Sequence, residues 1–201
     1  MKKRIILGSA SPRRRELLAQ IGVEFEVLVS DGEEHYTSTE PSEIVQELAI
    51  AKAENVAVGA ADLKNVLLIG ADTIVALDGE ILGKPKSEED AFRMLKSLQG
   101  RGHQVYTGIA LLLYDEVGEK SIIRHAERTE VFVHAMEDEE ICRYIATGEP
   151  MDKAGSYGIQ GKFAAYIDRI EGDYYNVVGL PVAYLYQRLK EIGFTNINVD
   201  Q

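Results

Sequence analysis

A chain of 201 residues, 45% hydrophobic and 27% charged, can bury a real core and has the make-up of a soluble globular protein. Its formal net charge of −11 excludes a broad basic face, and with it extended nucleic-acid or anionic-membrane binding. One cysteine, Cys142, excludes an intrachain disulfide framework and fits a reducing compartment, and no apolar run reaches transmembrane length.

Met1-Lys2-Lys3-Arg4 has the charge of a secretion signal, but the apolar run behind it is short and ends in three arginines, so a cytoplasmic location is expected. Arg4-Ile5-Ile6-Leu7 predicts a short buried strand. A helix follows, with Ser11 at the N-cap, Pro12 in the first helical position, and Leu17, Leu18 and Ile21 on its apolar stripe. Arg13, Arg14 and Arg15 occupy the first turn, where the helix dipole favours acids instead. A bound polyanion would answer those charges, since free N–H groups at a helix start already favour phosphate. A solvated basic turn is the plainer alternative, and the phosphate reading stands ahead of it, since a local arginine cluster in an acidic chain suits a small anion.

Phe25 to Val29 predicts a strand, and the polar, acidic stretch from Ser30 to Ser42 a loop. From Ser42 to Ala57 the apolar positions keep helical spacing, with Lys52 in the middle of the stripe. Such a lysine either snorkels outward, which is commoner, or meets an anion. Val66 to Ala71 is an unbroken apolar run suited to a central strand that ends at Asp72-Thr73. Working residues cluster at the carboxyl ends of strands in α/β sheets, which favours Asp72 for chemistry; a turn cap is disfavoured because Thr73 to Leu77 continues as strand and offers no turn there. Asp78-Gly79 predicts a hairpin into Glu80-Ile81-Leu82. Gly79 to Lys84 has only the outline of a phosphate-binding P-loop: a residue is missing between its glycines and Pro85 replaces the Ser/Thr.

Ser87 caps a helix with an acidic first turn, lined by Phe92, Leu95 and Leu98 and ended by Gly100. His103 to Tyr114 and Ile122 to Val133 predict two long strands, and Glu137 to Thr147 an acid-started helix stopped by Gly148. Cys142 falls in that helix, with a buried small hydrophobe as its default role. Gly148 to Gly161 is glycine-rich and irregular, and Tyr174 to Pro181 leads into a last helix lined by Val182, Leu185, Leu189 and Ile192. The four histidines lack metal-ligand spacing. Nothing marks a linker, so residues 1–201 are expected to be a single domain.

Unaided, these residues give an α/β domain with an arginine-loaded helix start, a carboxylate, scattered lysines and a glycine segment. Such parts suit phosphoryl chemistry. Taken together, Ser9-Ala10-Ser11-Pro12-Arg13-Arg14 with Glu16-Leu17-Leu18, Gly70-Ala71-Asp72-Thr73-Ile74-Val75, Gly83-Lys84-Pro85, the Gly148–Gly161 segment and Val177-Val178-Gly179-Leu180-Pro181 resemble the Maf family of nucleotide pyrophosphatases, once named for septum-formation inhibition. The resemblance covers nearly the whole chain. It implies an α/β fold related to inosine triphosphate pyrophosphatases: an elongated mixed β-sheet with flanking helices and two lobes around a cleft. It also implies a hydrolase that uses a divalent metal, Mg or Mn, to convert a nucleoside triphosphate to the monophosphate and pyrophosphate.

By position, Asp72 matches the family's proton acceptor, and Arg13, Thr73 and Gln160 match its specificity positions. Ser9, Arg14, Lys52 and Lys84 match its polyphosphate contacts. Glu33, in the acidic loop, is a candidate metal or water-positioning carboxylate beside Asp72; Glu34 competes with it. The set Arg13, Thr73 and Gln160 resembles the dTTP/UTP branch rather than the 7-methyl-GTP branch, whose members carry an aromatic, a glutamine and a glutamate there. An amide both donates and accepts, so Gln160 can pair with the imide edge of uracil or thymine. House-cleaning of nucleotide pools, with standard or modified pyrimidine nucleotides, and a homodimer are also implied. The competing expectations are a division regulator that binds nucleotide without turnover, and a 7-methyl-GTP pyrophosphatase.

Overall fold

The chain's longest apolar runs become the interior strands of one seven-stranded mixed sheet. The computed structural model describes residues 4–29, 32, 35–60 and 62–194. Strands β1 (Arg4–Gly8), β2 (Glu26–Val27), β3 (Val66–Leu77), β5 (Gly102–Tyr114), β6 (Lys120–Val133) and β7 (Ile167–Glu171) are ordered β2-β1-β3-β5-β6-β7, and β4 (Glu80–Leu82) pairs with β3 off this path. β1 lies parallel to β2 and to β3, in register from Arg4 opposite Val66 to Gly8 opposite Gly70. β4 is antiparallel to β3, and β7 to β6. Helices α1 (Pro12–Gln20), α2 (Pro41–Gly59), α3 (Glu88–Leu98), α4 (Asp138–Ile145), α5 (Tyr174–Val178) and α6 (Val182–Glu191) complete the mixed α/β fold expected from the sequence.

The chain divides into two compact units, one of residues 1–72, 107–127 and 179–201, the other of residues 73–106 and 128–178. In the first, Ile6, Val66, Leu68, Ala110 and Leu112 pack against Ala49, Ala53 and Val56 of α2. The helix lies on the strand backbone itself. A Cβ on Gly70 would stand 2.1 Å from the Ala49 carbonyl oxygen, and one on Gly108 2.1 Å from that of Val45. Neither strand position has room for a side chain. In the second unit, fully buried Phe163 sits among the rings of Tyr144, Tyr157 and Tyr166, at centroid distances of 5.1, 4.7 and 5.6 Å. Leu95, Leu98, Val131 and Ile141 close that core.

Three expectations change, and one strand is new. The strand expected over 25–29 shrinks to two residues, because β2 lies at the sheet's edge with a pairing partner on one side only. The run at 66–71 passes through Asp72 into Thr73–Leu77, which continues as strand as expected, and it pairs with β4 through the expected hairpin at Asp78 and Gly79, whose φ angles of +51° and +84° suit a two-residue turn. Asp72 therefore lies inside a twelve-residue strand rather than at its carboxyl end. β7 carried no expectation; its mixed sequence and half-exposed residues give no clean alternation. Cys142 is exposed, since α4 turns Ile141, Tyr144 and Ile145 inward and leaves residue 142 on the outer face.

Candidate functional site

The turn between β1 and α1 is built as the sequence suggests, with one difference in who caps it. Ser11 takes the N-cap position and Pro12 the first helical one, but no side-chain cap bond forms there. Instead Ser9 Oγ accepts from the Ser11 N–H at 3.2 Å. No acid enters the first turn. The three arginines separate: Arg14 is buried, Arg13 half-buried and Arg15 exposed. Arg14 Nε donates to the Gly179 carbonyl at 2.8 Å, and its Nη1 to Ser9 Oγ at 3.3 Å. The protein itself therefore uses much of what the Arg14 guanidinium can donate, bracing Ser9 and Gly179. Arg15 Nη2 reaches the Ala10 carbonyl at 3.3 Å.

The close seating of α2 delivers a second pair. Gly70 and Asp72, two apart in β3, share a face of the strand, and Ala49 lies over Gly70. Lys52, three residues beyond Ala49 on the helix, therefore stands over Asp72. Its Nζ donates to Asp72 Oδ1, and side-chain exposure is 25% for the lysine and 11% for the aspartate. The inward lysine has met an anion, and that anion is the chain's own carboxylate. Thr73 is the next residue in an unbroken strand, so the pleat directs it to the opposite face from Asp72.

In the second unit, Lys84 lies exposed just beyond β4, and the neighbouring Gly83 carbonyl accepts from the Gly155 N–H at 3.1 Å. Gly155 belongs to the glycine-rich segment, which folds into short 3-10 turns at Glu149–Asp152 and Ala154–Ser156, with another following at Lys162–Tyr166. Gln160 is exposed within it. The segment is thus irregular, as expected, yet densely hydrogen-bonded. Three residues with no earlier role hold it: Tyr144, Glu149 and Lys153. No local pattern marks them, because their partners lie 4 to 14 residues away along a path without periodicity.

Glu33 and Glu34, the candidate metal carboxylates, lie outside the described residues. Among the described residues, no group of three or more His, Cys, Asp or Glu could hold a metal. Asp72 is the nearly buried carboxylate available. A hard cation such as Mg fits it, because that ion is commonly held by one or two carboxylates, water and the substrate's phosphates rather than by a protein cage. No helix among the described residues is long and apolar enough to cross a membrane.

Comparison with known proteins extends this picture. The family model described as Maf-like protein matches residues 4–192. A dTTP/UTP pyrophosphatase of Agathobacter rectalis is 54% identical over 199 residues, covering 94% of this chain and 97% of the relative. The dTTP/UTP pyrophosphatase of Dictyoglomus turgidum is 49% identical over 197 residues, covering 97% and 99%. Among solved structures, the Staphylococcus aureus Ham1 protein aligns with a TM-score of 0.51 at 17% identity, over 94% of this chain and all of that one, a likeness of fold.

Proposed function

This chain belongs to the Maf-like protein family, and on that premise we propose that it hydrolyses dTTP and UTP to the nucleoside monophosphate and pyrophosphate. The observation that carries the reading is its near-half identity, over almost the full length of both chains, to relatives named dTTP/UTP pyrophosphatases. Such an enzyme cleans nucleotide pools. The family match runs through both compact units, so residues 1–201 are taken as one catalytic domain.

In the reaction, water attacks the α-phosphorus, the bond from that phosphorus to the bridging oxygen breaks, and pyrophosphate leaves with the electron pair. Asp72 is assigned the proton from the attacking water, or else the place of a carboxylate that would hold the metal. A bound Mg or Mn ion would neutralise phosphate charge and acidify water; Asp72 would hold it, with Glu33 or Glu34 as the second carboxylate. Lys52 rests on Asp72. When a polyphosphate arrives, Lys52 exchanges that partner for a phosphate oxygen and leaves the carboxylate to its chemistry. Arg13 and Lys84 stabilise charge on the phosphates, and Ser9 with Arg14 shapes the helix start that receives them. Gln160 reads the imide edge of the base, donating and accepting through one amide. Thr73 is the secondary specificity residue. A cytoplasmic location, from the single cysteine of the sequence, and a homodimer, from the family resemblance, belong to the same reading.

The test is direct. The purified chain is incubated with UTP or dTTP and Mg or Mn, and the products are resolved by anion exchange. UMP or dTMP with pyrophosphate supports the reading. A diphosphate with inorganic phosphate, or unchanged substrate, overturns it.

A further inference from the structure

Gln160 sits in an exposed stretch, yet the backbone on either side of it is pinned. The Gly158 N–H donates to Tyr144 Oη at 3.2 Å, and the Lys162 N–H to Glu149 Oε2 at 3.0 Å. The Tyr144 hydroxyl in turn donates to Glu149 Oε1 at 2.8 Å. One carboxylate thus governs both ends of the 158–162 stretch, directly at Lys162 and through Tyr144 at Gly158. It also fills the space beside residue 161, where a Cβ would stand 2.1 Å from Glu149 Oε1. A side chain at residue 161 would push the Glu149 carboxylate out of this place. The Glu149 backbone is held in turn, its carbonyl accepting from Lys153 Nζ at 2.7 Å.

The relay is rigid. Tyr144 is 4% exposed and its ring packs on Phe163, so its hydroxyl has little freedom. Burial and the neighbouring Glu149 push the Tyr144 pKa up, which keeps the hydroxyl a donor at any ordinary pH. Upstream, Gly155 and Ser156 are left-handed in succession, with φ of +68° and +62°, and the Ser156 hydroxyl donates to Met94 Sδ at 3.1 Å. A non-glycine residue in that region is strained and persists where its surroundings over-determine it. Several independent contacts hold this segment in one conformation.

We propose that Glu149 is a positioning residue for base recognition: its carboxylate clamps residues 158–162 in the conformation that presents the Gln160 amide to the pyrimidine. The inference rests on the reading of Gln160 as the base-reading residue. A clamp on a base contact that is equally strong in the ground and transition states changes KM and leaves kcat. A mere core anchor would lower the amount of folded enzyme and spare KM.

The experiment compares wild type, Glu149→Gln and Tyr144→Phe in steady-state hydrolysis of UTP and dTTP, alongside amide hydrogen exchange of the peptide spanning 158–162. Glu149→Gln keeps the shape but turns one acceptor oxygen into a donor, so it cannot serve both Tyr144 and the Lys162 N–H. Losing one such hydrogen bond predicts KM raised about 10-fold, with kcat changed less than about 2-fold, and exchange faster in that peptide alone. Tyr144→Phe, which frees the Gly158 end only, shifts KM the same way and less. An unchanged KM in Glu149→Gln, or a loss confined to kcat or spread over exchange of the whole chain, overturns the proposal. If Glu149→Gln does not fold, the KM of Tyr144→Phe decides in the same two directions. Wild type that leaves UTP and dTTP intact fails the functional reading first, and the clamp falls with it; wild type that turns over beside an unaltered Glu149→Gln sinks the clamp alone.

Discussion

Lys52 and Asp72 place opposite charges together where each is largely shielded from water. A shielded pair adds little net stability, because desolvation offsets most of the attraction. Its value lies in holding a carboxylate and a cation ready within one strand–helix contact. Asp72→Asn keeps an oxygen that accepts from Lys52 while removing the charge, so the variant is expected to fold with an almost unaltered melting temperature. Its pyrophosphate release should fall roughly 10²–10⁴-fold, the usual worth of a general base. Turnover near the wild-type rate would remove Asp72 from the reaction. Gln160→Glu tests the other end of the substrate: an ionised glutamate accepts but cannot donate, so one base hydrogen bond is lost and KM for UTP and dTTP should rise about 10-fold. Unchanged KM values for both would cancel the base-reading role. Asp72 and Lys52 were each legible in the sequence, one as a polar residue closing an apolar run, the other as a cation on an apolar stripe. Their meeting was not, since it depends on how a helix seats on a strand. Arg14 shows the same limit, for its carbonyl partner Gly179 stands 165 residues away.

That seating is the property of an element. On α2, Ala49 and Ala53 face Gly70 and Val45 faces Gly108, which brings helix and sheet into backbone contact, and Lys52 reaches Asp72 because of it. Gly70→Ala puts a methyl group 2.1 Å from a carbonyl oxygen that cannot rotate away, so α2 must lift. Overpacking of this kind costs about 1–3 kcal/mol. The urea midpoint is expected to drop, and turnover at saturating UTP to fall further than the loss of folded protein explains, because Lys52 leaves Asp72. A variant with wild-type midpoint and turnover would show that α2 is not locked to the strand. The elements themselves were legible in proportion to their periodicity. α2, α3, β3 and β5 carry clear apolar patterns, β6 a more mixed one, and all appear close to where they were expected. β7 and the edge strand β2 bury too little to leave a pattern, and the turns of 149–166 are fixed by side chains such as Glu149 rather than by spacing.

At the scale of the whole molecule, stability in acid turns on a histidine to which the sequence assigned no role beyond lacking metal-ligand spacing. His103 is fully buried, with Nε2 2.7 Å from the hydroxyl of equally enclosed Tyr157. Its Nδ1 finds no partner among the described residues. Burial lowers its pKa from 6.5 to about 4, so the folded chain keeps it neutral while the unfolded chain protonates it below 6.5. The unfolded state then binds the extra proton, and stability falls as pH drops from 6.5 towards 4. The contribution is complete above pH 6.5 and is reduced by about 2 kcal/mol at pH 5. Chemical unfolding at pH 7.5 and pH 5 measures it, in wild type and in His103→Gln, whose amide does not titrate. Carboxylates contribute alike to both proteins, so the difference between the two pH values should be smaller in the variant by about that amount. Equal differences would mean that His103 titrates alike folded and unfolded. Tyr157 belongs to the same glycine-rich segment as Gln160, so the core that acid loosens is the one on which the proposed base-reading residue is mounted. Raising Tyr157 by burial keeps its hydroxyl protonated, and the pair therefore has a single proton to exchange, that of the histidine.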